Sequence, residues 1–272
     1  MAARVALVST GGSARGAFSA GVAHSLVVEH GLDPVVVAGV SIGAVNSAWL
    51  ATAPVGDQAA LRSAAEGLVR WWRESVPRPA WRMLTRGQRV AAVRQGLDHL
   101  DRAAAARSGR VWLGGATDAR TGRWVCATSD LLEDPAVLEG IVAFPGVLPP
   151  VPVQGSLWMD GVVRRVVPIA EVLAQDVDEI VVITGGSPEI GAWKGGSGAL
   201  RAIGIAAHEL FFLKDVRTAL EQRDLPVTVY APTRPLTSPW RFDRRAIEAS
   251  LEHGLEVGQS LQACDPAAFV VR

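Results

Sequence analysis

Gly39-Val40-Ser41-Ile42-Gly43 is the only Gly-x-Ser-x-Gly segment in the chain. The bare pentapeptide arises readily by chance, so its setting carries the information. It follows an uncharged, β-branched run at 35–40 and opens an apolar, Ala-rich stretch from about 42 to 53. A strand–turn–helix elbow of this kind exposes the serine hydroxyl, and only glycine clears the crowded neighbours at Gly39 and Gly43. The helix N-terminus beneath it favours developing negative charge. The competing reading is a serine that merely caps the helix.

A serine hydroxyl is a poor nucleophile without a base, and acyl transfer needs donors for the oxyanion. Gly11-Gly12-Ser13-Ala14-Arg15-Gly16 follows the first strand and opens a helix, so its backbone N–H groups converge on the sheet edge that carries Ser41. Read alone it is also a degenerate dinucleotide fingerprint, but the acid that should end the second strand is absent and Ser41 stands there. Five histidines are available for a Ser–His pair: His24, His30, His99, His208 and His253. None lies on a loop that delivers it to a strand end, as a conventional Ser–His–Asp hydrolase requires. Asp160, in Trp158-Met159-Asp160-Gly161 after a Pro-rich turn, is placed to act on the serine directly. An ordinary turn aspartate beside glycine is the alternative there.

These groups have to be held by buried strands. Uncharged β-rich runs at 5–9 and 35–40 alternate with helical periodicity at 15–30 and 42–53, which indicates parallel βαβ units covered on both faces. Further strands are expected at 111–114, 124–128, 179–184 and 227–230, and helices at 57–75, 88–107, 199–222 and 243–262. With no repeat and no long linker, the 272 residues, 49% of them hydrophobic, read as one α/β domain spanning 1–272. The 27 basic and 27 acidic side chains cancel, which argues against a general nucleic-acid binder. Cys126 and Cys264 have neither a disulfide framework nor metal-ligand spacing, so free thiols in a reducing compartment are expected. No segment reads as a signal peptide or a spanning helix. A soluble, cytoplasmic protein is the expectation.

Residues 70–94 depart from this regularity. Seven arginines (70, 73, 78, 82, 86, 89 and 94) face a single acid, Glu74, and Trp71, Trp72, Trp81, Met83 and Leu84 interleave with them. One reading is a solvated Arg-rich surface. The other is a lid or interfacial patch, with indole rings at headgroup depth and guanidinium groups on anionic lipid.

Taken together, three blocks resemble the patatin-like phospholipases. Gly11-Gly12-Ser13-Ala14-Arg15-Gly16, continuing into Ala17-Phe18-Ser19-Ala20-Gly21-Val22, is similar to that family's oxyanion loop. Gly39-Val40-Ser41-Ile42-Gly43-Ala44-Val45-Asn46 is similar to its nucleophile elbow. The segment 143–150, then Met159-Asp160-Gly161 and Pro168, is similar to its aspartate block. The likeness covers 5–170 and loosens beyond, where Trp240 to Leu261 resembles the family's last helix. It implies a three-layer α/β/α fold around a mostly parallel sheet, with 199–262 packed on it as a helical part. It implies a Ser41–Asp160 dyad acting on a lipid or other carboxylic ester through an acyl-serine intermediate. N–H groups around Gly12 and Ser13 would hold the oxyanion, Arg15 would fix that loop, and no metal or organic cofactor is needed. With an ordinary pKa near 4, Asp160 would be ionised throughout the physiological range. Three positions depart from the family pattern. Ser13 replaces the third glycine of the loop, Val162 a small residue beside the aspartate, and Val166 an asparagine. They motivate the alternative of a non-hydrolytic lipid-binding relative.

Overall fold

The computed structural model describes residues 3–76, 84–186 and 225–264. Among them a sheet forms from β1 (Val5–Ser9), β2 (Val36–Val40), β3 (Val111–Asp118), β4 (Trp124–Thr128), β5 (Val151–Val153), β6 (Ser156–Asp160), β7 (Glu179–Ile183) and β8 (Val227–Tyr230). Its hydrogen-bonded path runs β5-β6-β3-β2-β1-β7-β8, and β4 also pairs with β3. The pairs β1–β2, β1–β7, β2–β3 and β7–β8 are parallel, whereas β3–β4, β3–β6 and β5–β6 are antiparallel. The sheet is therefore mostly parallel and flanked by helices.

Alternation along the strands divides the core. Leu7, Val37, Val181 and Ile183 face a cluster shared with α1 (Gly16–Val28), α2 (Ile42–Leu50) and α3 (Gln58–Glu74). Ala6, Val8, Ala38, Ile180 and Val182 face a second cluster with α7 (Ile169–Leu173). Both faces being covered is why these strands are continuous apolar runs. The last helix, α8 (Arg244–Gln259), lies against α1 so closely that a Cβ on Gly254 would enter the carbonyl of Phe18.

The sequence pattern misplaces several elements. A single helix over 88–107 is two, α4 (Arg86–Leu97) and α5 (Arg102–Arg107). Asp101 interrupts it, because its carboxylate takes the Ala104 N–H at 2.9 Å and starts a new helix. The Pro-rich turn before Asp160 is the β5–β6 hairpin. Pro152 hides that strand from sequence reasoning, yet among the described residues β5 pairs only with β6 and tolerates a missing N–H there. Short α6 (Pro135–Ile141) and α7 were also missed, being too brief for periodicity to register. The expected helix at 199–222 lies outside the described residues.

Candidate active site

Ser41 follows the last residue of β2 and sits at φ 55°, ψ −133°, a backbone conformation L-residues rarely adopt. Its side chain makes no capping hydrogen bond to α2, which sets aside the capping reading. The flanking glycines are required by close approach. A Cβ on Gly39 would strike the Gly43 backbone, and one on Gly43 would strike the carbonyls of Ser9 and Thr10. Ser47 Oγ donates to the Ala38 carbonyl at 2.8 Å and ties α2 back onto β2.

Strand register places Asp160 beside it. On β3, Gly115 pairs with Val40 of β2 and the next residue, Ala116, pairs with Asp160 of β6. Because β4 covers β3 from Leu113 to Thr117, overlapping both pairings, β2 and β6 must share the opposite edge end to end. The end of β2 and the end of β6 therefore meet. The Asp160 N–H donates to the Ala143 carbonyl at 3.0 Å, and Oδ1 accepts the Val162 N–H at 3.0 Å. Gly161 is needed here, since a Cβ would come within 2.6 Å of the Gly115 oxygen.

The carboxyl group is fully buried. Desolvation raises its pKa from 3.8 to about 7, with the Ser41 hydroxyl and the Val162 N–H pulling the other way. The hydroxyl is thus near enough to favour the carboxylate, although the pair falls short of hydrogen-bond geometry and Oδ2 is left without a partner. The expectation of a carboxylate ionised across the physiological range is corrected: Asp160 titrates within it, because burial penalises the charge.

The loop 11–16 closes the site from the other side. A Cβ on Gly11 would lie 2.9 Å from Ser41 Cβ, so the absence of a side chain lets the loop abut the serine. Ser13 has φ 53°, a strained value for a non-glycine residue. Among the described residues, the N–H groups of Gly11, Gly12 and Ser13 find no protein acceptor. Ala14 N–H and Arg15 Nε, by contrast, are held by the carbonyls of Pro239 and Thr237, both at 3.0 Å. These two bonds tie the loop to a segment more than two hundred residues away in sequence. Asn46 adds a second tie that sequence reasoning missed. Its Nδ2 donates to the Gly16 carbonyl and its Oδ1 accepts Trp72 Nε1, both at 2.9 Å, joining α2, α1 and α3. Only its place in the elbow block hinted at a role.

Two of the three departures from the family pattern are absorbed away from the serine. Val162 and Val166 pack into the second cluster, against α7 and the far face of the sheet. Glu171 on α7, bonded by Arg165 and by Trp124 Nε1, braces the loop after Asp160. No described histidine hydrogen-bonds Ser41 or Asp160; His253 instead accepts the Thr233 N–H at 3.2 Å, His99 is exposed, and His208 lies outside the described residues. The Arg/Trp segment is corrected in part. Trp71 and Trp72 are core residues, 6% and 0% exposed, so they cannot meet lipid. Arg73 pairs with Glu248 and Arg94 with Glu139. Trp81 and Met83 lie outside the described residues. Among the described residues no group of three His, Cys, Asp or Glu side chains could hold a metal ion, and no helix is long and apolar enough to cross a membrane.

The fold and site together define a mostly parallel α/β protein with a strained elbow serine meeting a buried carboxyl group. The model of the patatin-like phospholipase family matches residues 7–173, and the chain belongs to that family. Membership supports a lipid hydrolase. No curated protein matches the chain significantly in sequence. VipD from Legionella pneumophila is similar in structure at 14% identity and a TM-score of 0.47, over 97% of this chain and 68% of that one. Human GIVD cytosolic phospholipase A2, in complex with methyl gamma-linolenyl fluorophosphonate, is similar at 12% identity and a TM-score of 0.47, over 97% of this chain and 58% of that one. The type III effector ExoU is similar at 14% identity and a TM-score of 0.32, over 93% and 53%.

Proposed function

We propose that the chain is a carboxylic-ester hydrolase acting on phospholipid or other lipid esters, with Ser41 as nucleophile and Asp160 as its base. The observation that carries this reading is the meeting of Ser41 and the buried Asp160 carboxyl at one edge of β3, beside the 11–13 loop, whose N–H groups have no acceptor among the described residues. Ser41 Oγ attacks the ester carbonyl carbon while its proton passes to Asp160. The carbonyl oxygen takes the negative charge and receives hydrogen bonds from the N–H groups of Gly12 and Ser13. Collapse expels the alcohol, which takes the proton from Asp160. Water then gives a proton to Asp160 and attacks the acyl-serine; collapse releases the acid, and Ser41 Oγ takes the proton back from Asp160, restoring both groups. Every step is accounted for by these side chains and backbone groups.

The single sheet from residue 5 to 230 supports reading the chain as one working domain. For peripheral contact with a membrane the support narrows to Leu84, 72% exposed and beside exposed Arg86.

The test is fluorophosphonate labelling mapped by peptide mass, beside p-nitrophenyl ester turnover, on wild type, Ser41→Ala and Asp160→Asn. The expected result is a label on Ser41 and turnover lost in both variants. Labelling of Ser41 with no turnover on any ester would favour the non-hydrolytic lipid-binding reading. A folded wild type that takes no label would sink the nucleophile assignment.

A further inference from the structure

Phe144 and Trp240 form an edge-to-face pair with ring centroids 5.4 Å apart. Phe144 is one residue beyond Ala143, whose carbonyl holds the Asp160 N–H. Trp240 is one residue beyond Pro239, whose carbonyl holds the Ala14 N–H of the 11–16 loop. A closed circuit results. It runs from Ser41 to Asp160, across to Ala143 and Phe144, over the ring contact to Trp240 and Pro239, and back through Ala14 to Gly11, which abuts Ser41. The other links are backbone hydrogen bonds, strand register and covalent chain. The ring pair is the one apolar side-chain link.

The pair is not core packing. Phe144 is half-buried but belongs to neither core cluster, and Trp240 is 41% exposed. Two large rings left partly in water on the continuations of the two loops that flank Ser41 gain most if something apolar covers them. A carbonyl seated between Ser41 and the N–H groups of Gly11–Ser13 lies between that loop and the loop of Asp160, so a substituent that leaves between the two loops meets their continuations. The rings bridge the continuations of those two loops. The polar alcohol part of a lipid ester gains little from them, whereas a hydrocarbon chain gains from each methylene laid on a ring.

We infer that Phe144 and Trp240 form the wall along which the acyl chain of the substrate lies, making Trp240 a determinant of chain-length preference. This rests on the ester-hydrolase reading above. Trp240→Ala uncovers about two methylenes of a bound chain and lowers its affinity about tenfold, while Trp240→Phe keeps an aromatic face and holds the change to about threefold.

The experiment has two arms. In the first, kcat/KM is measured for p-nitrophenyl acetate and octanoate on wild type, Trp240→Ala and Trp240→Phe. The octanoate-to-acetate ratio is expected to fall about tenfold in the alanine variant and much less in the phenylalanine one. An equal fall on both esters leaves the ratio unchanged and overturns the wall, since it marks Trp240 as a structural prop for the 11–16 loop. Selectivity that shifts with the alcohol of a matched ester series instead of the acyl chain overturns it too. The second arm needs no turnover: calorimetric binding of dodecanoate to the same three proteins. Affinity lost in Trp240→Ala and retained in Trp240→Phe supports the wall even if no ester is hydrolysed, in which case the hydrolase reading alone fails. Equal dodecanoate affinity in all three proteins, or no binding by wild type, overturns the wall and leaves the hydrolase reading to its own test.

Discussion

Replacing Asp160 by Asn tests the proposed base and measures what its burial costs the fold. Burial lifts the pKa from 3.8 to about 7. At about 1.4 kcal/mol per pH unit, that gap of about three units amounts to about 4 kcal/mol. The sign follows from proton counting. Between pH 4 and 7 the folded protein holds a proton on Asp160 that the unfolded chain has released, so stability falls as pH rises through this window. Above about pH 7 both states are ionised and the term levels off. Asn keeps the size of the neutral side chain and carries no such term. Asp160→Asn is therefore expected to be the more stable protein at pH 8, and its advantage over wild type should widen by about 2–3 kcal/mol from pH 5 to pH 8. Urea unfolding of both proteins at the two pH values measures the difference. Wild-type kcat/KM should in parallel rise about tenfold from pH 6 to 8, as the ionised fraction grows from about one tenth to about nine tenths. A stability gap that does not change between pH 5 and 8, or a wild type more stable than the Asn variant at pH 8, would refute the argument that Asp160 is desolvated in the folded state.

Three other expectations rest on separate features. Ser13→Gly removes a side chain from a positive-φ position and should stabilise the fold by about 1 kcal/mol in urea unfolding; a loss of stability would mean that the side chain holds the loop. Asn46→Ala leaves the buried Trp72 indole N–H unpaired and removes a second donor from the Gly16 carbonyl, which should cost about 1–3 kcal/mol by the same assay, and a change under about 0.5 kcal/mol would show that the tie is not needed. His253 is held neutral chiefly by burial, with Arg234 adding to this and Glu256 opposing it, and its Nε2 accepts the Thr233 N–H. Its depressed pKa contributes stability above pH 6.5 that is lost as pH falls through the folded value. Hydrogen exchange at Thr233 should accelerate in acid beyond the intrinsic pH trend, and no such acceleration is expected in His253→Gln.

The readings that survived best are those whose cause is local. An uncharged β-branched run followed by glycine and an Ala-rich stretch can only be strand, turn and helix, so the elbow at Ser41 was legible from a dozen residues. The same holds for the 11–16 loop and for the parallel order of β1 and β2, because both faces of those strands must be apolar. Where the chain breaks local rules the reading failed. Pro152 disguised an edge strand, and Trp71 and Trp72, among arginines in sequence, point inward because α3 is strongly two-faced with its arginines on the outer side.

Sequence by itself thus determined the family and the local frames that present Ser41 and the 11–16 loop, since backbone conformation and periodicity are set by near neighbours. Tertiary structure alone decided that β6 continues the edge of β3 where β2 stops, and so that Asp160 meets a serine 119 positions earlier. It also decided that Thr237 and Pro239 hold the loop of Gly11–Ser13, and that Asp160 titrates near neutrality. Strand register and desolvation depend on what packs around a residue from distant parts of the chain, and no local window of sequence contains that.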